Sequence, residues 1–134
     1  MKSYRDLAIY QTSKSLAVSV HRMTLENLPK FEMYEEGSQI RRSAKSIVAN
    51  IVEGYGRRRS KNEFLRFLSY AIASCDETKG HLEILVETES LSQVLFQELH
   101  EKYEEIGKKL YRFRESVDEI HNVFKEDEAF YIPF

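Results

Sequence analysis

The stretch Ser60 to Leu85, SKNEFLRFLSYAIASCDETKGHLEIL, decides the fold. Phe64, Leu68, Ala71, Cys75, Thr78, Leu82 and Leu85 recur at alternating steps of four and three, the period of a helix and not of a strand. Ser60 followed by Glu63 has the form of a capping box, in which hydroxyl and carboxylate each satisfy an exposed N–H of the first turn. The spacing predicts a helix of about 30 residues, roughly 45 Å long at a 1.5 Å rise.

Outward from this stretch the same steps return three times. The first series is Ile9, Ser13, Leu16, Val20 and Met23, with Ser3 and Asp6 as the expected cap and Pro29 as the stop near Asn27. The second is Ile40, Ala44, Ile47 and Ile51, ending around Gly54 and Gly56. The fourth is Leu95, Leu99, Tyr103, Ile106, Leu110, Phe113, Val117, Ile120 and Phe124, with Ser90 and Gln93 as a candidate box. Such steps suit helices crossing at a shallow angle, and the short third connection requires antiparallel neighbours. Pro29, Gly54 and Gly56 break the pattern too often for one continuous coiled coil. The expectation is an all-α, antiparallel up-down four-helix bundle over residues 1–125, then a tail over 126–134.

At 134 residues, 42% hydrophobic and 31% charged, the chain can bury one core without disulfides or metals. A lone Cys75, no apolar leader and no run of about 20 apolar residues imply a reducing, cytoplasmic setting and no membrane partner. The net charge of −2 conceals an asymmetry. Residues 37–66 hold eight basic side chains (Arg41, Arg42, Lys45, Arg57, Arg58, Arg59, Lys61 and Arg66) against Glu53 and Glu63, a local +6.

The second helix has more apolar surface than one buried stripe requires. Val48, Ala49 and Val52 carry its apolar arc toward the side opposite Ile40, and Leu65 and Ile72 flank the third stripe similarly. These residues mark an expected interface with a second copy, although a centrally placed helix would show the same pattern.

Tyr34-Glu35-Glu36-Gly37-Ser38-Gln39-Ile40-Arg41-Arg42-Ser43-Ala44, then Ser46-Ile47-Val48-Ala49-Asn50-Ile51-Val52-Glu53-Gly54, resembles the bacterial four-helix bundle proteins encoded in 23S rRNA intervening sequences, the S23 proteins. The likeness continues through Arg57 to Phe64 and Arg66-Phe67-Leu68, has a weaker counterpart in Asp6 to Gln11, and fades across the fourth helix. It implies a protomer of a ring-shaped homopentamer. That family is similar to the accessory variability proteins of diversity-generating retroelements, which bind nucleic acid and a reverse transcriptase through a basic surface. Thr78 departs from the pattern, which usually has Leu after the Glu.

Arg57, Arg58, Arg59, Lys61 and Arg66 are therefore candidate phosphate contacts for RNA or DNA, because guanidinium forks match phosphate oxygens. A solvated turn whose arginines pair with acids of helix four explains the same run. Arg41, Arg42 and Lys45 either extend the patch or bridge to acids of a neighbouring protomer. No basic–aromatic interleaving of the single-strand-binding kind is expected. Asn50 and Glu53, three apart, are read as structural polar groups at a buried helix end. A scaffold whose basic patch meets an acidic protein is the rival reading.

No catalytic signature is present, so no enzyme activity and no cofactor are expected. A di-iron bundle needs two Glu-x-x-His motifs, and Asp118-Glu119-Ile120-His121 is a single imperfect one. His21, His81 and His100 lack metal-ligand spacing, and Cys75 lies on the core stripe. The tail places Ala129-Phe130-Tyr131-Ile132-Pro133-Phe134 after three acidic residues, and folding back, docking on a neighbour or binding a partner would each explain it.

Overall fold

A computed structural model of the chain describes residues 3–123. Four helices follow one another as α1 (Ala8–Glu26), α2 (Glu36–Gly56), α3 (Lys61–Glu87) and α4 (Gln93–Val123), with short 3-10 turns at Tyr4–Asp6 and Lys30–Tyr34. They pack in chain order as an up-down bundle, and α1 also meets α4 to close the square. The oligomer expected from sequence lies beyond a single chain, and the tail at 126–134 lies outside the described residues.

The apolar stripes converge on the axis. Ile40, Ala44, Ile47 and Ile51 of α2 are fully buried, as are Leu68, Ala71, Cys75, Thr78, Leu82 and Leu85 of α3. Val20 closes the core from α1, and Tyr103, Ile106, Leu110 and Val117 close it from α4. Each large aliphatic side chain withdrawn from water in this way contributes about 1.5–3 kcal/mol. Ser13, the polar member of the first stripe, is also buried and donates its hydroxyl proton to the Tyr10 carbonyl at 3.2 Å.

The exceptional Thr78 also has a place. Its hydroxyl donates to the Ser74 carbonyl at 2.8 Å and lies 2.8 Å from the Ser43 hydroxyl of α2. Ser46 and Ser74 meet one turn away at 2.9 Å. The α2–α3 seam is thus partly polar, with its buried hydroxyls paired across it.

Two glycines are set by close approach. A Cβ on Gly37 would collide with the Glu32 carbonyl, so this residue lets the Lys30–Tyr34 turn fold against the start of α2. At Gly54 a Cβ would stand 3.1 Å from the Phe67 Cβ, so the missing side chain lets α3 approach α2.

The caps differ from the sequence reading. Ser3 and Asp6 do form a reciprocal box, but it closes the 3-10 turn, and α1 begins after Leu7 with no side-chain cap. At α3 only half of the expected box forms: Ser60 accepts from the Glu63 N–H at 3.3 Å, while the Glu63 carboxylate turns to arginines. At α4 the cap is Ser92, which accepts from the Leu95 N–H at 3.2 Å. Ser90 instead donates to Glu32 at 2.7 Å. The end of α3 explains that exchange. Glu89 takes φ 63°, and the Ser90 and Leu91 N–H groups both reach the Leu85 carbonyl at 3.0 Å, a left-handed cap that turns Ser90 inward.

Candidate nucleic-acid interface

Helix α2 ends at Gly56, and Arg57, Arg58 and Arg59 follow before Ser60 starts α3, so the cations cluster in a tight turn at one end of the bundle. Helix α4 finishes against this turn. His121 Nε2 lies 3.0 Å from the Arg58 carbonyl oxygen, and Lys61 pairs with Asp118 at 2.8 Å. The hydrogen bond from Lys61 holds the Asp118 carboxyl below its usual range.

The arginines are not bare. Nε and Nη2 of Arg57 donate to Glu53 at 3.1 and 2.9 Å, and Nη1 donates to Glu63 at 3.2 Å. These bonds, Glu53 first, raise the Arg57 guanidinium pKa above its ordinary value. Arg66 takes the other Glu63 oxygen at 2.8 Å. Arg58 lies over the Tyr55 ring, 4.3 Å from its centroid, and donates to the Tyr55 carbonyl at 3.1 Å. The carboxylates on Arg57 and Arg66 come from α2 and α3, and α4 supplies Asp118 to Lys61. All these pairs are solvent-accessible and individually weak, and a multivalent anion can exchange with them.

The sequence shows no basic–aromatic interleaving of the single-strand-binding kind, yet some of these side chains meet in space. The guanidinium carbons of Arg57 and Arg66 each lie 5.1 Å from the Phe67 centroid. Arg66 is also 6.0 Å from Tyr70, which meets Phe67 edge-on at 5.6 Å and 85°. Positions 63, 66, 67 and 70 share one face of α3, so helical spacing from Arg66 carried the signal. Arg57 joins them only through the turn.

The remaining basic candidates are elsewhere. Arg41 is half-buried near the start of α2, where it donates to the Thr24 hydroxyl at 2.9 Å and the Met33 carbonyl at 2.6 Å. It ties α1 to the following turn and does not join the patch. Arg42 is exposed on the same helix, and Lys45 lines a groove between α1 and α2. Asn50 and Glu53 do not bond to each other. Asn50 donates back to the Ser46 carbonyl and hydroxyl at 2.8 and 3.1 Å, and Glu53 is exposed and paired with Arg57.

The residues expected at an interface occupy two sides. Val48 and Ala49 line a groove of about 640 Å³ with Ala17 and Val18 of α1, rimmed by Lys14, Arg22 and Lys45. Ile72 lines a separate groove between α3 and α4 beside Tyr111. Val52 and Leu65 are half-buried.

Among the described residues, no group of three or more His, Cys, Asp or Glu side chains is placed to hold a metal ion. His81 lies between Glu36 and Glu77, at 2.6 and 3.3 Å, and His100 meets Glu83 at 3.0 Å. Burial pushes the Cys75 thiol up to about 11, which suppresses its thiolate. No helix among the described residues is long and apolar enough to cross a membrane.

Comparison with solved structures gives a TM-score of 0.73 and 26% identity to a protein of unknown function from the S23 ribosomal protein family of Bacteroides thetaiotaomicron, covering 80% of this chain and 95% of that one. No functionally curated protein matches. The family model for the 23S rRNA-intervening sequence protein matches residues 5–112. With that match spanning most of the bundle, the chain belongs to the 23S rRNA-intervening sequence protein family.

Proposed function

We propose that this protein is a non-enzymatic, cytoplasmic nucleic-acid-binding bundle that works as a homo-oligomer, taking RNA or DNA backbone at the α2–α3 turn. The observation that carries this reading is the gathering of Arg57, Arg58, Arg59, Lys61 and Arg66 at one end of the bundle, against a chain that is net negative. Neutralising phosphates there releases counterions, so affinity falls steeply with salt. Two different grooves on different sides, an apolar one at Val48 and a largely charged one at Ile72, suit a head-to-tail contact that closes a ring; a two-fold dimer would use one patch twice. A ring would repeat the basic end around its axis. The number five and a reverse-transcriptase partner come from the family resemblance alone.

The test is to reverse Arg57, Arg58 and Arg59 together to Glu. Binding to RNA and DNA is expected to vanish while helicity by circular dichroism is kept, and retained binding rejects the assignment. A protein-interaction scaffold is the second reading, favoured by the carboxylates already paired with Arg57 and Arg66. Its mark would be one stoichiometric acidic protein that co-purifies without nucleic acid.

A further inference from the structure

We propose that the basic end takes single-stranded nucleic acid in preference to duplex, with Tyr70 as the stacking face for an unpaired base beside the guanidinium planes of Arg57 and Arg66. This rests on the nucleic-acid reading above and names its substrate class. All three Arg57 nitrogens are directed to Glu53 and Glu63, and Arg66 is held by Glu63. A phosphate must displace carboxylates from the N–H edge of Arg57 and from one nitrogen of Arg66 before it can bind there. What such a group still presents is its flat face, which stacks on π-systems.

The rings complete the arrangement. Phe67 carries both guanidinium groups at 5.1 Å and stands edge-on to Tyr70 at 5.6 Å, so its packing fixes the Tyr70 ring. Tyr70 is 47% exposed, so its ring is accessible from solvent beside the two arginines. Every base has a π-face, so an exposed platform of this kind is tolerant of sequence. In a duplex those faces are occupied by neighbouring bases and cannot reach Tyr70. Phosphates of the same strand would then follow the turn past Arg58 and Arg59.

The experiment titrates the full chain with a short oligodeoxythymidine strand and with the same strand annealed to its complement. Wild type is expected to bind the single strand more tightly. Tyr70→Ala should weaken that binding about tenfold and leave duplex binding unchanged, with Tyr70→Phe restoring it, because stacking needs the ring and not the hydroxyl. Tyr70 is surface-exposed, and circular dichroism checks that each variant is folded. Unchanged single-strand affinity in Tyr70→Ala, or a duplex preference in wild type, overturns the stacking assignment. If the triple charge reversal still abolishes binding in that case, the nucleic-acid reading stands without it. Failure of wild type to bind either probe at low salt defeats both.

Discussion

At the end of the bundle where the Lys30–Tyr34 turn meets the α3–α4 connection, charged side chains are built into the fold. Arg41 joins α1, the turn and α2; Glu32 is buried and accepts from Ser90; His81 lies against Glu36. At the opposite end, Arg57 and Arg66 lie on the surface, paired with exposed or half-exposed carboxylates. The residue types are the same, but the cost of losing them differs. Removing a partner from a buried pair leaves an unsatisfied group, whereas water and salt readily replace a surface partner. Charge enclosed at one end holds the turns together, and charge exposed at the other remains exchangeable with a ligand.

The glycines give the largest expected contrast. Gly37→Ala would press a methyl group into the Glu32 carbonyl, which belongs to the backbone and cannot swing away. We expect a loss of about 3 kcal/mol in chemical denaturation. The Cβ of Gly54→Ala would stand 3.1 Å from the Phe67 Cβ, an overlap of a few tenths of an ångström that a slight separation of α2 and α3 relieves, and should cost about 1 kcal/mol. Equal losses would erase the distinction between the two ends.

Arg41→Ala should destabilise by about 2 kcal/mol, since Thr24 and Met33 lose a charged donor in a partly buried site. Arg57→Ala should leave the melting temperature nearly unchanged. A reversed order would show that the surface pairs, and not the enclosed one, hold the structure.

A smaller effect is expected in the core. The Tyr103 hydroxyl is buried with no hydrogen-bond partner among the described residues, and burial raises its pKa. Tyr103→Phe should raise stability by about 1 kcal/mol, and a loss of that size would reveal a partner for the hydroxyl.

The smallest effect is electrostatic. The Asp118 pKa is lowered in the folded state by its hydrogen bond from Lys61, so the pair stabilises the fold above the ordinary carboxylate range. That contribution is lost as pH falls through the depressed folded value. The melting temperatures of wild type and Asp118→Asn should therefore converge in acid. A gap that persists there would assign the difference to packing.

The bundle was legible because it depends on local periodicity: Ile40, Ala44, Ile47 and Ile51 are all fully buried. The caps were read less well. Ser90 has the right spacing to Gln93, but the left-handed Glu89 turns it toward Glu32, 58 residues away, and no local rule contains that contact. Arg41 and Arg57 looked alike in a charge run because sequence does not show which end of a helix is enclosed by a turn. The Arg66, Phe67 and Tyr70 spacing was visible on α3, but Arg57 comes beside it only where Gly54 lets α2 and α3 approach closely.

The most direct test of the division between the two ends is the salt dependence of nucleic-acid affinity in wild type, Arg41→Ala and the double variant Arg58→Ala, Arg59→Ala. Wild type should show a steep fall of log affinity with log salt. The double variant should lose roughly one unit of slope for each phosphate contact removed, and Arg41→Ala should keep the wild-type slope despite its lower stability. An unchanged slope in the double variant, or a reduced one in Arg41→Ala, would contradict the assignment of the exposed end to phosphate binding.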